Sequence, residues 1–221
     1  MDGVYEPDTL AFLRCELGPG DVFVDVGANI GVFSIPLARH VGQTGKVVAI
    51  EASPSVSRIL KANIEANRLD NVLMVDCAAS LDGQDCVDFY EAPPDHFGMG
   101  SSGLQFDAKP LTVAAKSLDG ILAGQSVKVM KVDVEGYEAH VFMGGSGLLS
   151  RKPRPSIVFE FCDWAEERAF PGRRGWAQNI LLDAGYRLWT LAAYTEGKPP
   201  LDEPIRTGTV SIVAIPLERD R

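Results

Sequence analysis

The chain has 221 residues and a formal net charge of −9 at pH 7, with 46% apolar and 23% charged residues. That balance belongs to a globular chain long enough to bury a full core, and one domain over residues 1–221 is expected. The acidic excess argues against a broad phosphate-backbone footprint, and no apolar run approaches the roughly 20 residues that span a bilayer, so neither nucleic acid nor membrane is an expected partner.

The first residues, Met1-Asp2-Gly3-Val4-Tyr5-Glu6, lack the basic-then-apolar order of an export signal, so a cytoplasmic location is expected. Cys15, Cys77, Cys86 and Cys162 form no C-x-x-C pair and are expected as reduced, mostly buried thiols without a metal. Residues 7–17 are predicted as a short helix within an N-terminal segment of residues 1–20. Pro7-Asp8-Thr9 opens it, and Leu10, Leu13 and Leu17 supply its apolar face.

The next stretch, from Asp21 to Gly31, organises the chain. Residues 22–26 read as a buried β-branched strand. Asp25 is the anomaly in it, because a buried carboxylate is costly unless something pairs with it. Gly27 and Gly31 permit a tight turn and a close approach, and Asn29 tolerates unusual backbone angles or caps the following helix. That helix, predicted over residues 30–40, offers free N–H groups to an anionic or polar ligand. Pro36 falls inside it, where a proline costs a hydrogen bond. The G-x-x-x-G spacing is neither the G-x-G-x-x-G of a dinucleotide fold nor a P-loop ending in Gly-Lys-Ser/Thr.

Residues 46–51 form the second predicted strand. Glu51 ends it, at about the distance past the glycine turn where an acid meets ribose hydroxyls. Ser53 suits the N-cap and Pro54 the first position of a helix ending near Asn67. Residues 71–76 form the third strand. Asp76-Cys77-Ala78-Ala79 follows, where a carboxylate can accept from an adenine amino group and small side chains leave room for a ring. Residues 86–90 alternate as a small extra strand. Residues 92–109 are rich in turn formers, and a loop this long is expected to face the substrate. Its His96 is a candidate general base.

Residues 111–115 are a short strand, 117–122 a helical turn and 127–132 a strand. The last runs into Lys131-Val132-Asp133-Val134-Glu135-Gly136-Tyr137-Glu138, and a helix continues towards Gly144-Gly145. Residues 155–161 are a strand with Glu160 inside it, and 173–184 a helix. The strands 186–190 and 209–215 have no long helix between them, which predicts an antiparallel hairpin closing one α/β sheet.

Asp133 and Glu135 are the candidate catalytic pair. Residues i and i+2 of an extended segment share a face, so their side chains converge. Two close carboxylates repel, which raises the apparent pKa of the pair and makes one a better proton acceptor. Lys131 offsets their charge. Two other readings are open: acidic residues that complement a helix dipole, or a divalent cation on hard oxygen ligands. No metal is the expectation.

Three stretches carry a family resemblance: Tyr5-Glu6-Pro7, the run from Gly20 to Gly31, and Lys131 to Glu138 with Gly144-Gly145 after it. Together they resemble the FkbM family of S-adenosylmethionine-dependent methyltransferases over about residues 5–215. The resemblance implies a doubly wound, Rossmann-like, seven-stranded sheet of the class I methyltransferase type, with one strand antiparallel. It implies methyl transfer, commonly to a hydroxyl oxygen of a sugar, polyketide or similar small metabolite. Carried over by position, Glu6, Asp25, Gly27, Ala28, Asn29, Gly31, Glu51, Ser53, Asp76, Cys77 and Ala78 would hold the cofactor. His96, Ser101, Ser102 and Tyr137 would face the acceptor. The rivals are a catalytically silent S-adenosylmethionine-binding module and, disfavoured by the glycine spacing, a nucleotide-cofactor oxidoreductase.

Overall fold

The computed structural model describes residues 5–92, 100–102 and 109–219. His96 and most of the predicted 92–109 loop lie outside them. Along the chain run α1 (Pro7–Glu16), β1 (Val22–Val26), α2 (Ser34–Val41), β2 (Lys46–Glu51), α3 (Pro54–Ala66) and β3 (Val72–Asp76). Then come β4 (Ala78–Ser80), β5 (Cys86–Phe89), β6 (Leu111–Ser117), α4 (Leu118–Leu122), β7 (Val129–Val132), α5 (Glu138–Gly144) and α6 (Ser146–Ser150). The chain continues with β8 (Ser156–Cys162), α7 (Asp163–Ala169), α8 (Trp176–Asp183), β9 (Tyr186–Thr190), α9 (Leu191–Thr195) and β10 (Thr209–Pro216).

Seven strands form one sheet in the order β3-β2-β1-β7-β8-β10-β9. All neighbours are parallel except β10, which runs antiparallel to both β8 and β9. The seven-stranded class I methyltransferase architecture and its closing hairpin are therefore present. Strand order reverses between β1 and β7, and the crevice at the carboxyl ends there is where open α/β sheets bind ligands.

Both faces of the sheet are buried, as the uninterrupted apolar strands require. Val24, Val26, Val48, Met130 and Val132 pack on one side with Val141, Phe142 and Leu181. Phe23, Val47 and Val129 pack on the other with Phe12, Leu13, Leu37 and Val41. Alternation puts Asp25 on the Phe23 side, under α2.

Three sequence expectations change. The helix after the glycine turn begins at Ser34 rather than near Ile30, so Pro36 stands in its first turn. Backbone N–H groups there have no partner within the helix, and the proline costs none. The helix predicted at 173–184 is shorter, Trp176–Asp183. Cys77 and Cys162 are buried, but Cys15 and Cys86 are exposed.

The sequence reading did not foresee a second sheet of order β4-β6-β5. It explains Gly144: a Cβ there would stand 1.9 Å from the Ser80 carbonyl oxygen, so only glycine lets α5 lie on β4. Among the described residues no helix is long and apolar enough to cross a membrane.

Candidate active site

A cavity opens at the carboxyl edge of β1, β2 and β7. Its walls include Gly27, Asn29, Glu51, Ser53, Cys77, Ala78, Lys131 and Asp133. The turn after β1 is shaped by close packing. A Cβ on Gly27, whose φ is +76°, would lie 1.9 Å from the carbonyl oxygen of Asp133. The turns after β1 and β7 therefore touch backbone to backbone, which any side chain at 27 would prevent.

Glu51 reads the same turn from β2. One carboxylate oxygen accepts from the Asn29 N–H at 2.8 Å and the other from the Ser53 N–H at 2.8 Å. Burial pushes its carboxyl up, and those two N–H groups and Lys131 pull it back without cancelling the rise. Ser53 caps α3 by accepting from the Val56 N–H at 3.3 Å. Its hydroxyl also donates to Glu91 at 2.5 Å, and Glu91 accepts from the Ser55 N–H at 3.1 Å. Burial raises the Glu91 carboxyl, but these serine contacts outweigh it and hold the group below its ordinary value.

Asp25 is wholly buried beneath this turn. One oxygen accepts from the Ser34 hydroxyl at 2.6 Å, and the other has no hydrogen-bond partner. Burial pushes its carboxyl up against the pull of Lys131 and Ser34. Lys131 is the buried cation of the site. Its ammonium pairs with Asp133 at 3.0 Å and lies 5.0 Å from the centre of the Phe33 ring. Burial alone would lower its pKa, but Asp133 and Asp25 raise it, so it stays charged.

The turn after β7 is strained. Glu135 sits at φ +56°, a left-handed conformation rare for glutamate. The hydroxyl of Ser101 donates to its carbonyl oxygen at 2.8 Å, and Ser101 in turn bridges to Tyr90. Glu138 closes the turn from inside α5, accepting from the N–H groups of Val134 (3.0 Å) and Gly136 (3.4 Å). Its burial pushes it up to about 8. Asp133, Glu135 and Glu160 gather here, one oxygen of each within 4.8 Å of the others.

A second groove, lined by Gln84, Asp88, Tyr90, Thr112 and Arg168, meets the cavity at Ser102 and Tyr137.

Of the residues singled out from sequence, Gly27, Asn29, Glu51, Ser53, Cys77, Ala78, Ser102, Asp133 and Tyr137 face this space. Several others do not line it. Asp25 faces α2 and holds Ser34 instead. Ala28 is in the core beside Leu60, and Gly31 packs on Ile35 and Leu60. Asp76 is exposed, because its neighbours Cys77 and Ala78 take the inward positions. The N-terminal segment contributes Tyr5 to the wall rather than Glu6. Ser101 and Glu135 stand behind the wall, joined to each other. His96 lies outside the described residues. Sequence reasoning missed Glu91, Phe33 and the role of Glu160. The signal for Glu160 was a carboxylate inside an otherwise apolar strand.

A family model described as the methyltransferase FkbM domain matches residues 25–188. The chain belongs to the FkbM methyltransferase family. The matched stretch is that family's methyltransferase domain. Over 67 residues it is 33% identical to a probable cobalt-precorrin-6B C(15)-methyltransferase (decarboxylating) of Sulfurisphaera tokodaii, covering 30% of this chain and 35% of that protein. Over 94 residues it is 35% identical to the tRNA (guanine(37)-N(1))-methyltransferase of Mus musculus, covering 42% of this chain and 17% of that protein. The matches thus span about a third or less of these curated relatives. The fold is shared with a precorrin-6y C5,15-methyltransferase from Geobacter metallireducens GS-15, at a TM-score of 0.54 and 15% identity, covering 98% of this chain and 91% of that one.

The cavity suits S-adenosylmethionine by its donor set. A buried carboxylate stands at the end of β2, and the small residues Cys77-Ala78-Ala79 follow β3.

Proposed function

We propose that this FkbM-family chain methylates a hydroxyl oxygen of a small, hydroxylated metabolite such as a sugar or polyketide. The observation that carries the reading is Asp133, which lines the cavity at the end of β7 with Glu135 clustered behind it, where a hydroxyl needs a proton acceptor. S-adenosylmethionine supplies a methyl group that is already electrophilic on its sulfonium sulfur. The protein's task is therefore alignment and proton removal.

Glu51 accepts hydrogen bonds from the ribose hydroxyls with the lone pairs that Asn29 and Ser53 leave. Cys77, Ala78 and Ala79 make the wall for the adenine ring. Asp25 does not contact the cofactor in this reading; it anchors α2 under the turn that does. Asp133, paired with Lys131, orients the acceptor hydroxyl. The groove past Ser102 and Tyr137 admits the acceptor, and its hydrogen-bonding side chains, Gln84, Asp88, Thr112 and Arg168, favour a hydroxyl-rich molecule.

The net charge of −9 supports a small acceptor over RNA, although several relatives act by name on tRNA or rRNA. Calorimetry with S-adenosylmethionine, then transfer of a labelled methyl group to hydroxylated metabolites and to bulk tRNA, tests the reading. Label in an alkali-stable ether of a metabolite is expected. Label in tRNA, or on carbon or nitrogen alone, would overturn it.

A further inference from the structure

Glu160 is brought to the site by strand register. β7 and β8 run parallel with Val132 opposite Phe159, so Asp133, just past the end of β7, stands level with Glu160, still within β8. Glu135 arrives from the strained turn. One oxygen from each of the three lies within 4.8 Å of the others. On its other side Glu160 pairs with Ser211 of β10, which brings no charge. Glu6 adds a further negative charge from the N-terminal segment, and Lys131 is the cation that faces the group. Cys162, on the same strand, is a further titratable neighbour, and Tyr5, Asp25 and Glu138 adjoin the cluster through Asp133. Lys131 is already paired with Asp133. The cluster is thus rich in carboxylates around one ammonium, and carboxylates so close do not all ionise together.

We infer that Glu160 is the proton store of the transfer site, the place where the acceptor's hydroxyl proton comes to rest after passing the Asp133–Glu135 pair. This rests on the methyl-transfer reading above. The step balances in atoms and charge. The acceptor oxygen forms the new C–O bond with the methyl carbon, the C–S electron pair stays on sulfur, and the O–H proton ends on a Glu160 carboxylate oxygen. One positive charge disappears from sulfur as one negative charge disappears from Glu160, so the buried site keeps its net charge.

The consequence appears before any chemistry. Burial and the carboxylates of Asp133, Glu135 and Glu6 push Glu160 up to about 8, against the pull of Lys131. At pH 7 the free protein therefore holds this proton. A cation entering the cavity that Lys131 and Asp133 line favours the ionised form and drives the proton off. A neutral thioether does not.

Titration calorimetry in phosphate, HEPES and Tris, whose ionisation enthalpies differ, counts the protons released. Each run contains a chelator. At pH 7 the parent should release the larger part of one proton on binding S-adenosylmethionine and much less on binding S-adenosylhomocysteine. Glu160→Gln should bind S-adenosylmethionine several-fold more weakly at pH 7 and lose the release, together with the pH dependence of affinity between pH 6 and pH 9. Glu160→Asp should restore part of it. Equal release with both ligands, or unchanged release in Glu160→Gln, would overturn the inference. The comparison of the two ligands needs only the parent protein, so it decides even if the variants do not fold. Failure of the parent to bind S-adenosylmethionine at all would instead overturn the function proposed above.

Discussion

Glu51 spends both carboxylate oxygens on backbone N–H groups, those of Asn29 and Ser53. Glu51→Ala is expected to weaken S-adenosylmethionine binding by about 1.5–3 kcal/mol, the range for hydrogen bonds to a charged group. Calorimetry measures this, and an unchanged affinity would reduce Glu51 to a prop for the turn. Ribose recognition alone makes Glu51→Gln the milder change. The structure reverses that order of expectation in one respect: the amide of Gln points a donor at a backbone N–H, so Glu51→Gln also loosens the turn. Asp25 shows the cost of burial directly. One of its oxygens accepts from the Ser34 hydroxyl, and the other has no hydrogen-bond partner. Ser34→Ala should destabilise the fold by about 1–3 kcal/mol, the penalty for a buried acceptor left unmatched. Chemical denaturation reads it, and a change near zero would mean that solvent reaches Asp25.

Among the elements, the turns after β1 and β7 depend on each other. Gly27→Ala forces a methyl onto the Asp133 carbonyl and a left-handed φ onto alanine. A loss of at least about 2 kcal/mol is expected, with cofactor affinity falling in step. A folded Gly27→Ala protein with parental melting temperature and affinity would show that the two turns can part freely. The same comparison shows what the sequence made legible. β1 and β2 were readable to the residue, because a parallel strand buried on both faces is an unbroken apolar run. α3 was readable because Ser53 and Pro54 mark its start. The β4-β6-β5 sheet was not, because Ala78–Ser80 is too short and small to show a period. Asp133 and Glu135 were found as a pair in sequence. Glu160 joins them only through the pairing of β7 with β8, a long-range contact without a local signal. Asp25 and Asp76 were singled out because an acid next to a motif looks functional; in the fold neither lines the cavity, Asp25 being wholly buried under α2 and Asp76 exposed.

At the scale of the whole molecule, buried acids tie stability to pH. Glu138 and Glu160 are each pushed up to about 8 in the folded chain from an ordinary 4.5, by burial first. Between those values the folded protein binds more protons than the unfolded one, so stability falls as pH rises. The contribution is full below about pH 4.5 and lost above about pH 8. Urea denaturation should therefore give a higher midpoint at pH 6 than at pH 8.5. Glu138→Gln should flatten the slope, because the amide oxygen can still accept from Val134 and Gly136. A midpoint that rises towards pH 8.5 would contradict both shifts. The strand order also bears on how the chain is made. β10 lies between β8 and β9 yet is the last of the three in the chain. On the ribosome, β8 emerges with one edge unpaired and waits until Thr209–Pro216 have been synthesised. During that interval an apolar strand, Ser156–Cys162, presents open backbone groups to any neighbour. The nascent chain thus has a window of vulnerability to aggregation that closes only once β10 has been made.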